Sequence, residues 1–335
     1  MTTMNTQCRL AARPSGPATA ADWQFTTEPA PEPGDGEFLV EIGYVSIDPA
    51  MRTWMNAARS YVPPVEIGEV MRSLDVGRVI ASRHAGFAVG EQVSGIFGVQ
   101  QYAVSDGKDV TKIDTALGSA SDHLGALGIS GLTAYFGLLD VGKPLPGQTV
   151  LVSGAAGSVG AITGQIARIK GAKVIGIAGG ERKCRWLVEE AGFDAAIDYR
   201  DADLRAALKQ HAPNGVDVFF DNVGGETLEA ALNRLARGAR VVLCGAVSQY
   251  NDVPRGPRNY MQLLVARASM TGFVIFDYAG RYPEGLAALS GWLRSGELRA
   301  PEHIVPGTVE DFPETLSKLF AGENLGKLIL ALNQD

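Results

Sequence analysis

The chain has 335 residues, enough for about two domains, each able to bury a core of its own. Apolar residues make up 46% and charged residues 20%, and the net charge of −7 includes no Lys/Arg block, so neither a nucleic-acid nor a membrane-surface partner is indicated. No apolar run approaches the ~20 residues that span a bilayer, and Cys8, Cys184 and Cys244 stand far apart with no CxxC pair, which points away from a disulfide framework and towards a reducing cytoplasm.

The first segment carries Arg9 and Arg13 but no apolar signal core, so secretion is not expected, and Cys8-Arg9-Leu10 reads as the start of a first strand. Short apolar or alternating runs follow at 37–42, 75–80 and 92–97, separated by turn clusters such as Pro31-Glu32-Pro33-Gly34-Asp35-Gly36. Spacing of this kind, up to about residue 125, predicts a small, partly open β-barrel. From Thr149 the pattern changes to apolar strands alternating with helix-length segments. Strands are expected at 150–152, 173–177, 195–198, 216–220, 240–243 and 272–276, with a closing helix over 282–295. Six strands with helical crossovers make a doubly wound parallel sheet, so the fold class is α/β. The tail, 303–332, mixes strand and helix and is expected to return to the first domain.

The strongest motif is Val150-Leu151-Val152-Ser153-Gly154-Ala155-Ala156-Gly157-Ser158-Val159-Gly160, which leaves a strand and opens a helix expected over 161–170. Its GxxGxxG spacing varies the usual GxGxxG, but the physical need is shared. Small residues let backbone amides approach a pyrophosphate at the helix N-terminus, and Gly160 lets helix and strand pack closely. Alone, such a triplet marks only a tight turn; embedded in six alternating strands, it predicts dinucleotide binding. The second strand ends neutrally at Ile177-Ala178-Gly179-Gly180, where an NAD site typically carries an acid, and Glu181-Arg182-Lys183 follows. The cations favour NADPH, while Glu181 keeps NAD as the minor possibility and a solvated helix face remains the plain alternative for Lys183 and Arg185.

Zinc catalysis needs a Cys/His/Cys or Cys/His/Glu set, and the four histidines (His84, His123, His211, His303) have no such partners at ligand spacing, so no metal is expected. They read as surface or loop residues. No GxSxG turn is present, and Cys244 beside Gly245 reads as a packing residue at the cofactor crevice.

Taken in order, several strings across nearly the whole chain carry a resemblance: Ser46-Ile47-Asp48-Pro49-Ala50-Met51-Arg52, Ser105-Asp106-Gly107-Lys108-Asp109, Gly131-Leu132-Thr133-Ala134-Tyr135-Phe136-Gly137-Leu138-Leu139, Phe220-Asp221-Asn222-Val223-Gly224-Gly225-Glu226, Cys244-Gly245-Ala246-Val247-Ser248-Gln249-Tyr250-Asn251 and Asn324-Leu325-Gly326-Lys327. The chain resembles the zinc-independent leukotriene hydroxydehydrogenase/prostaglandin reductase branch of the medium-chain dehydrogenase/reductases, and within it the bacterial NADPH-dependent curcumin reductase-like proteins. The resemblance implies a GroES-like catalytic domain over 1–127 and 302–335 and a Rossmann domain over 128–301. It implies that Gly154, Gly157, Ser158, Val159 and Gly160 hold the pyrophosphate, and that Lys183 and Tyr199 contact the 2′-phosphate end. Asn222 and the stretch Cys244, Gly245, Ala246, Val247, Ser248, Gln249, Tyr250 would line the ribose and nicotinamide, with Thr133, Phe273, Val274 and Ile275 beside the ring and Asn324 reaching back from the tail. Two positions depart from common forms of the pattern. Ala50 stands where Tyr is frequent, which bears on the pocket, and Ser153 stands where Ala is frequent, which is expected to be neutral.

The expected reaction is hydride transfer from NADPH to the β-carbon of an enone or enal, with no metal, followed by protonation at the α-carbon. Tyr250 is the expected donor to the developing oxyanion, or else a ring stacked on cofactor or pocket wall. Tyr61, in Ser60-Tyr61-Val62-Pro63-Pro64, is a second candidate or a surface loop residue. Arg52 reads as a substrate-orienting cation or, more commonly, a structural one, and Met51, Trp54, Met55, Phe276 and Tyr278 as pocket or core. A quinone reductase on the same scaffold and a catalytically silent NADPH-binding sensor or assembly protein are the alternatives. A homodimer is expected by resemblance, through an edge strand near 272–276.

Overall fold

The structure, a computed structural model, describes residues 3–332, and contacts within the chain divide these into two units, 3–124 with 302–332 and 125–301. In the first unit β1 (Met4–Leu10) pairs antiparallel with β2 (Trp23–Pro29). There follow β3 (Phe38–Ile47), α1 (Ala50–Trp54), β4 (Asp75–Ser82), β5 (Gln92–Gly95), β6 (Tyr102–Ser105) and β7 (Thr111–Lys112). The core side of β3 changes phase. Phe38, Val40 and Ile42 face the core, and then Val45 and Ile47 do, because the register against β4 slips between Ile42 and Tyr44. A one-residue bulge inverts the alternation, so the sequence pattern stops at 42 while the strand continues to Ile47.

The second unit opens with α2 (Ile129–Phe136), which continues as a wider π turn over Gly137–Gly142. Then come β8 (Thr149–Ser153), α3 (Ser158–Ile169), β9 (Lys173–Ala178), α4 (Glu181–Glu189), β10 (Ala195–Asp198), α5 (Leu204–His211), β11 (Val216–Asp221), α6 (Gly225–Leu232), β12 (Leu235–Leu243), α7 (Gln262–Ala266), β13 (Ser269–Gly272) and α8 (Tyr282–Ser295). All neighbouring strands are parallel, in the order β10-β9-β8-β11-β12-β13. That order reverses direction between β8 and β11, where doubly wound sheets open a crevice at their carboxyl edge.

One strand lies elsewhere than its sequence suggests. The sixth is Ser269–Gly272, and the apolar run after it, expected to be that strand, leaves the sheet. Phe273 packs against Phe220 with ring centroids 6.3 Å apart, and Tyr278 stacks on Phe136 at 4.9 Å. A Cβ on Gly137 would stand 2.8 Å from Phe220 and would overlap Phe273, so Gly137 is what admits these rings. Aromatic packing, not strand pairing, takes up Phe273 and Tyr278, while Phe276 is 45% exposed.

The tail supplies β14 (Glu302–Gly307), α9 (Phe312–Ala321) and β15 (Lys327–Leu332) to the first unit, whose larger sheet has the order β14-β15-β3-β4-β5-β7 with β6 on β3. Lys327, only 3% exposed, donates to Asp48 Oδ1 at 2.6 Å and to the Ile47 carbonyl at 3.1 Å, pinning β15 to the end of β3. Such a pair is costly to break because it leaves a buried charge uncompensated. No helix among the described residues is long and apolar enough to cross a membrane.

Packing in the second unit is close between α3 and Phe193. A Cβ on Gly164 would lie 2.5 Å from Phe193 Cε2 and 2.7 Å from Cε1. Gly164→Ala is expected to destabilise the chain by about 1–3 kcal/mol through overpacking, read as a lower melting temperature, and Phe193→Leu in the same chain to recover part of the loss.

Candidate active site

At the carboxyl edge of the parallel sheet a fully buried carboxylate, Asp221, ends β11. Its Oδ1 accepts from Ser153 Oγ at 2.7 Å and from the amides of Val223 and Gly224 at 3.0 Å each, and Oδ2 accepts from Gly224 at 3.1 Å. Burial pushes this carboxyl above its ordinary range, while the bonds from Ser153, Gly224 and Val223 pull it back. The Asp221 carbonyl takes the amides of Cys244 (2.9 Å) and Gly245 (3.1 Å). Ser153 Oγ in turn accepts from Asn222 N at 2.8 Å, and Asn222 Nδ2 donates to the Ser153 carbonyl at 2.7 Å. The ends of β8, β11 and β12 are therefore one hydrogen-bonded block. Ser153 is not a neutral stand-in for Ala, since its hydroxyl both donates and accepts within that block.

The loop after β12 is fastened to the same block. Val247 N donates to Asn222 O at 3.2 Å, and Ser248 donates to Val223 O from its amide (3.2 Å) and its Oγ (2.6 Å). Gln249 N closes a turn on Ala246 O at 2.8 Å. The Tyr250 phenol oxygen accepts the Ala246 amide at 3.1 Å. Cys244, Gly245, Ala246, Val247, Ser248, Gln249 and Tyr250 are thus brought together with Asn222. The Cys244 thiol is pushed up to about 12, first by burial and then by the charge of Asp221, so it stays protonated and serves as a packing group.

Beside this block runs the glycine turn. Gly154 has φ +56°, in the left-handed region that favours glycine. A Cβ on Gly160 would lie 2.9 Å from Ala155 Cα and closer still to the Gly154 carbonyl, so no larger residue lets α3 begin here. Helix α3 starts at Ser158, three residues earlier than expected, with Gly157 as its cap. The first-turn amides of Ser158, Val159 and Gly160 face out of the N-terminus, as helix geometry requires. Ser158 Oγ is buried with no hydrogen-bond partner. Bare amides, absent side chains and an orphaned hydroxyl at a helix N-terminus fit a pyrophosphate.

At the ends of β9 and β10 lies a cationic corner. Lys183, in the first turn of α4, is half-buried, and burial together with the charges of Arg200 and Arg182 lowers its ammonium below the ordinary lysine value. A Cβ on Gly179 would come 2.9 Å from both Tyr199 Cε1 and Arg200 Nε. Lys183 and Tyr199 therefore share the corner with Arg200, which sequence reasoning did not select. Arg185 forms an ion pair with Glu181. The corner fits a phosphate dianion, so the residues present suit NADPH at both its phosphate groups.

Thr133 lies half-buried on α2. Of the aromatic segment, Phe273 joins Phe220 as described, Val274 precedes the turn, and Ile275 is buried with its carbonyl accepting from Tyr282 Oη at 3.2 Å. The first unit holds the remaining candidates. Tyr61 is 55% exposed, and Asn324 is buried with Nδ2 donating to Gly326 O at 2.7 Å. Arg52 is structural, its guanidinium donating to Pro14 O, Gly16 O and Asn56 Oδ1. Met51, Trp54 and Met55 belong to the core and not to a pocket. Among the described residues no three His, Cys, Asp or Glu side chains converge. His211 ends α5, His303 lies in β14 and His84 packs edge-on against Phe38 and Phe87, and all three are half-buried.

Asp221 is the residue that sequence reasoning passed over, although a carboxylate closing the apolar strand Val216-Asp217-Val218-Phe219-Phe220 has to find donors. That is the signal by which it is found.

Residues 6–113 match a family model described as the N-terminal domain of oxidoreductase, and residues 158–291 match one described as zinc-binding dehydrogenase. The chain is 38% identical to the NADPH-dependent curcumin reductase of Escherichia coli over 97% of its length and 96% of that protein's. It is 37% identical to bovine prostaglandin reductase 1, over 94% and 95%. The structure of CurA from Vibrio vulnificus in complex with NADPH superposes with a TM-score of 0.93 at 43% identity, covering 98% of this chain and 100% of that one. On this evidence the chain belongs to the zinc-independent branch of the medium-chain dehydrogenase/reductases, the NADP-dependent oxidoreductases of the curcumin and prostaglandin reductase type.

Proposed function

We propose that this enzyme reduces a carbon–carbon double bond conjugated to a carbonyl. The cofactor is NADPH. The observation that carries the reading is the Tyr250 phenol, seated by its oxygen on the Ala246 amide in the loop that Asp221 and Asn222 fasten to the sheet edge. The name of one relative supports it, because curcumin is itself an unsaturated, conjugated diketone.

When bound, NADPH supplies a hydride for the β-carbon of the acceptor. The task left to the chain is to hold the acceptor and to stabilise negative charge as it gathers on the carbonyl oxygen. Tyr250 donates its hydroxyl proton in a hydrogen bond to that oxygen, and the α-carbon takes a proton from solvent or through the same phenol. Phe273, Val274 and Ile275 make the apolar wall beside the ring, with Thr133 on α2. Ser158, Val159 and Gly160 hold the pyrophosphate, and Lys183 and Tyr199 the 2′-phosphate. An NADPH-linked reaction and three free cysteines suit the cytoplasm.

A second copy of the chain is the partner. Strand β13 is an edge of its sheet, and α7, which leads into it, exposes Leu264 (68%) and Val265 (62%) beside Met261 and Tyr260. An open edge flanked by apolar side chains invites continuation by a symmetry mate. The edge is Ser269–Gly272, three residues before the segment expected from sequence.

Three outcomes are expected. Tyr250→Phe lowers turnover on a simple enone about a hundredfold while the NADPH dissociation constant moves by less than about threefold; unchanged turnover removes Tyr250 from the donor role, and faster NADPH oxidation by a small quinone than by any enal favours the quinone reductase. Lys183→Ala weakens NADPH at least about tenfold more than NADH, by calorimetric titration. Leu264→Glu with Val265→Glu shifts the sedimentation mass from dimer to monomer, and a wild-type monomer at micromolar concentration refutes the pairing.

A further inference from the structure

A carboxylate at the end of β10 takes no part in the chemistry described so far. Asp198 Oδ1 accepts the Gly180 amide at 2.9 Å and the Arg200 amide at 3.0 Å. One oxygen thereby ties the chain leaving β9 to the chain leaving β10. Two further bonds fix the turn: Tyr199 N to Ala178 O at 3.1 Å, and Ala202 N to Asp198 O at 3.0 Å. The side chains that follow are laid directly on the Gly179 backbone, where a Cβ would come 2.9 Å from Arg200 Nε and from Tyr199 Cε1. Gly180, with φ +92°, lets the chain turn into α4 so that Lys183 comes to the same place.

An NAD site sets its acid at the end of the second strand, facing the ribose. Here that position is glycine, and the nearest strand-end acid stands one strand over with an oxygen committed to two backbone amides. The result inverts the sign of the corner. Burial first, and then the charges of Arg200 and Arg182, lower the Lys183 ammonium. A corner that gathers three cations is complementary in charge to a phosphate dianion.

We propose that Arg200 is a cofactor-selectivity residue that grips the 2′-phosphate together with Lys183, and that Asp198 is the positioning residue that holds Arg200 against the Gly179–Gly180 turn. This rests on the reading that the phosphate end of NADPH lies at this corner. The test titrates the full chain with NADPH, NADH and adenosine 2′,5′-bisphosphate, by nucleotide fluorescence and calorimetry. Arg200→Ala is expected to weaken NADPH and the bisphosphate by about tenfold or more, to move NADH by less than about threefold, and to flatten the salt dependence of NADPH binding. Asp198→Ala is expected to lose a large part of the same preference, and Asp198→Asn, which keeps the Oδ1 acceptor, to restore it. If Asp198→Ala does not fold, Asp198→Glu, which displaces the acceptor by one methylene, is read in its place.

The failures are distinguishable. Wild-type protein that binds NADPH and NADH alike, with no affinity for the bisphosphate, overturns the reading of the corner. A wild-type preference kept in full by Arg200→Ala overturns the Arg200 assignment alone. Equal losses in Asp198→Asn and Asp198→Ala overturn the positioning role, because the charge and not the acceptor would then be what matters.

Discussion

The carboxylate of Asp221 organises the second unit's working edge. A charge taken out of water must be met by donors or it neutralises, and here Ser153, Val223 and Gly224 meet it from three directions. Because one donor comes from β8 and two from the turn after β11, the group can be satisfied only when both strand ends are in register. The Asp221 backbone carbonyl extends the same condition to Cys244 and Gly245 on β12. A cluster of this kind is costly when partly formed and rigid when complete. It holds the loop carrying Tyr250 to the sheet without using any of that loop's side chains except Ser248 and Tyr250.

Around this hub the constraints are mostly steric. Gly160 and Gly164 sit on one helix, the first letting it start against the Gly154 carbonyl and the second letting it lie against Phe193. Gly137 performs the same service for Phe273 and Phe220. In each case the missing side chain lets backbone or an aromatic ring approach to a distance no Cβ would allow. Glycine abundance in this chain thus reflects close approach as well as turns.

Electrostatics act on a different scale. A net charge of −7 describes the chain as a whole, yet Lys183, Arg182 and Arg200 form a local positive corner at the ends of β9 and β10. Local arrangement decides what an anion meets, and backbone amides at Asp198 show how an acid can lie nearby with its oxygen occupied. The buried Lys327–Asp48 pair in the first unit belongs to another category, since its partners are few and its task is to join β15 to the end of β3.

Local pattern sufficed where one physical signal dominated. The strand Ala195–Asp198 and the helix Tyr282–Ser295 have the bounds their residues predict, because alternation and capping are short-range effects. The glycine spacing at 154–160 likewise marked the tight strand-to-helix turn, since only small residues satisfy its geometry. Contacts remote in sequence decided the rest. Nothing within 272–276 reveals that Phe273 will find Gly137 and Phe220, so an apolar run was indistinguishable from a strand. A bulge near Gly43 hid the second half of β3 by inverting its alternation. Asp221 and Arg200 were visible as residues but not as a hub and a member of the Lys183 cation corner. Their roles depend on Ser153, 68 residues upstream of Asp221, and on Gly179 and Lys183 across a neighbouring strand end, and only the folded sheet brings those partners within hydrogen-bonding or Coulombic reach.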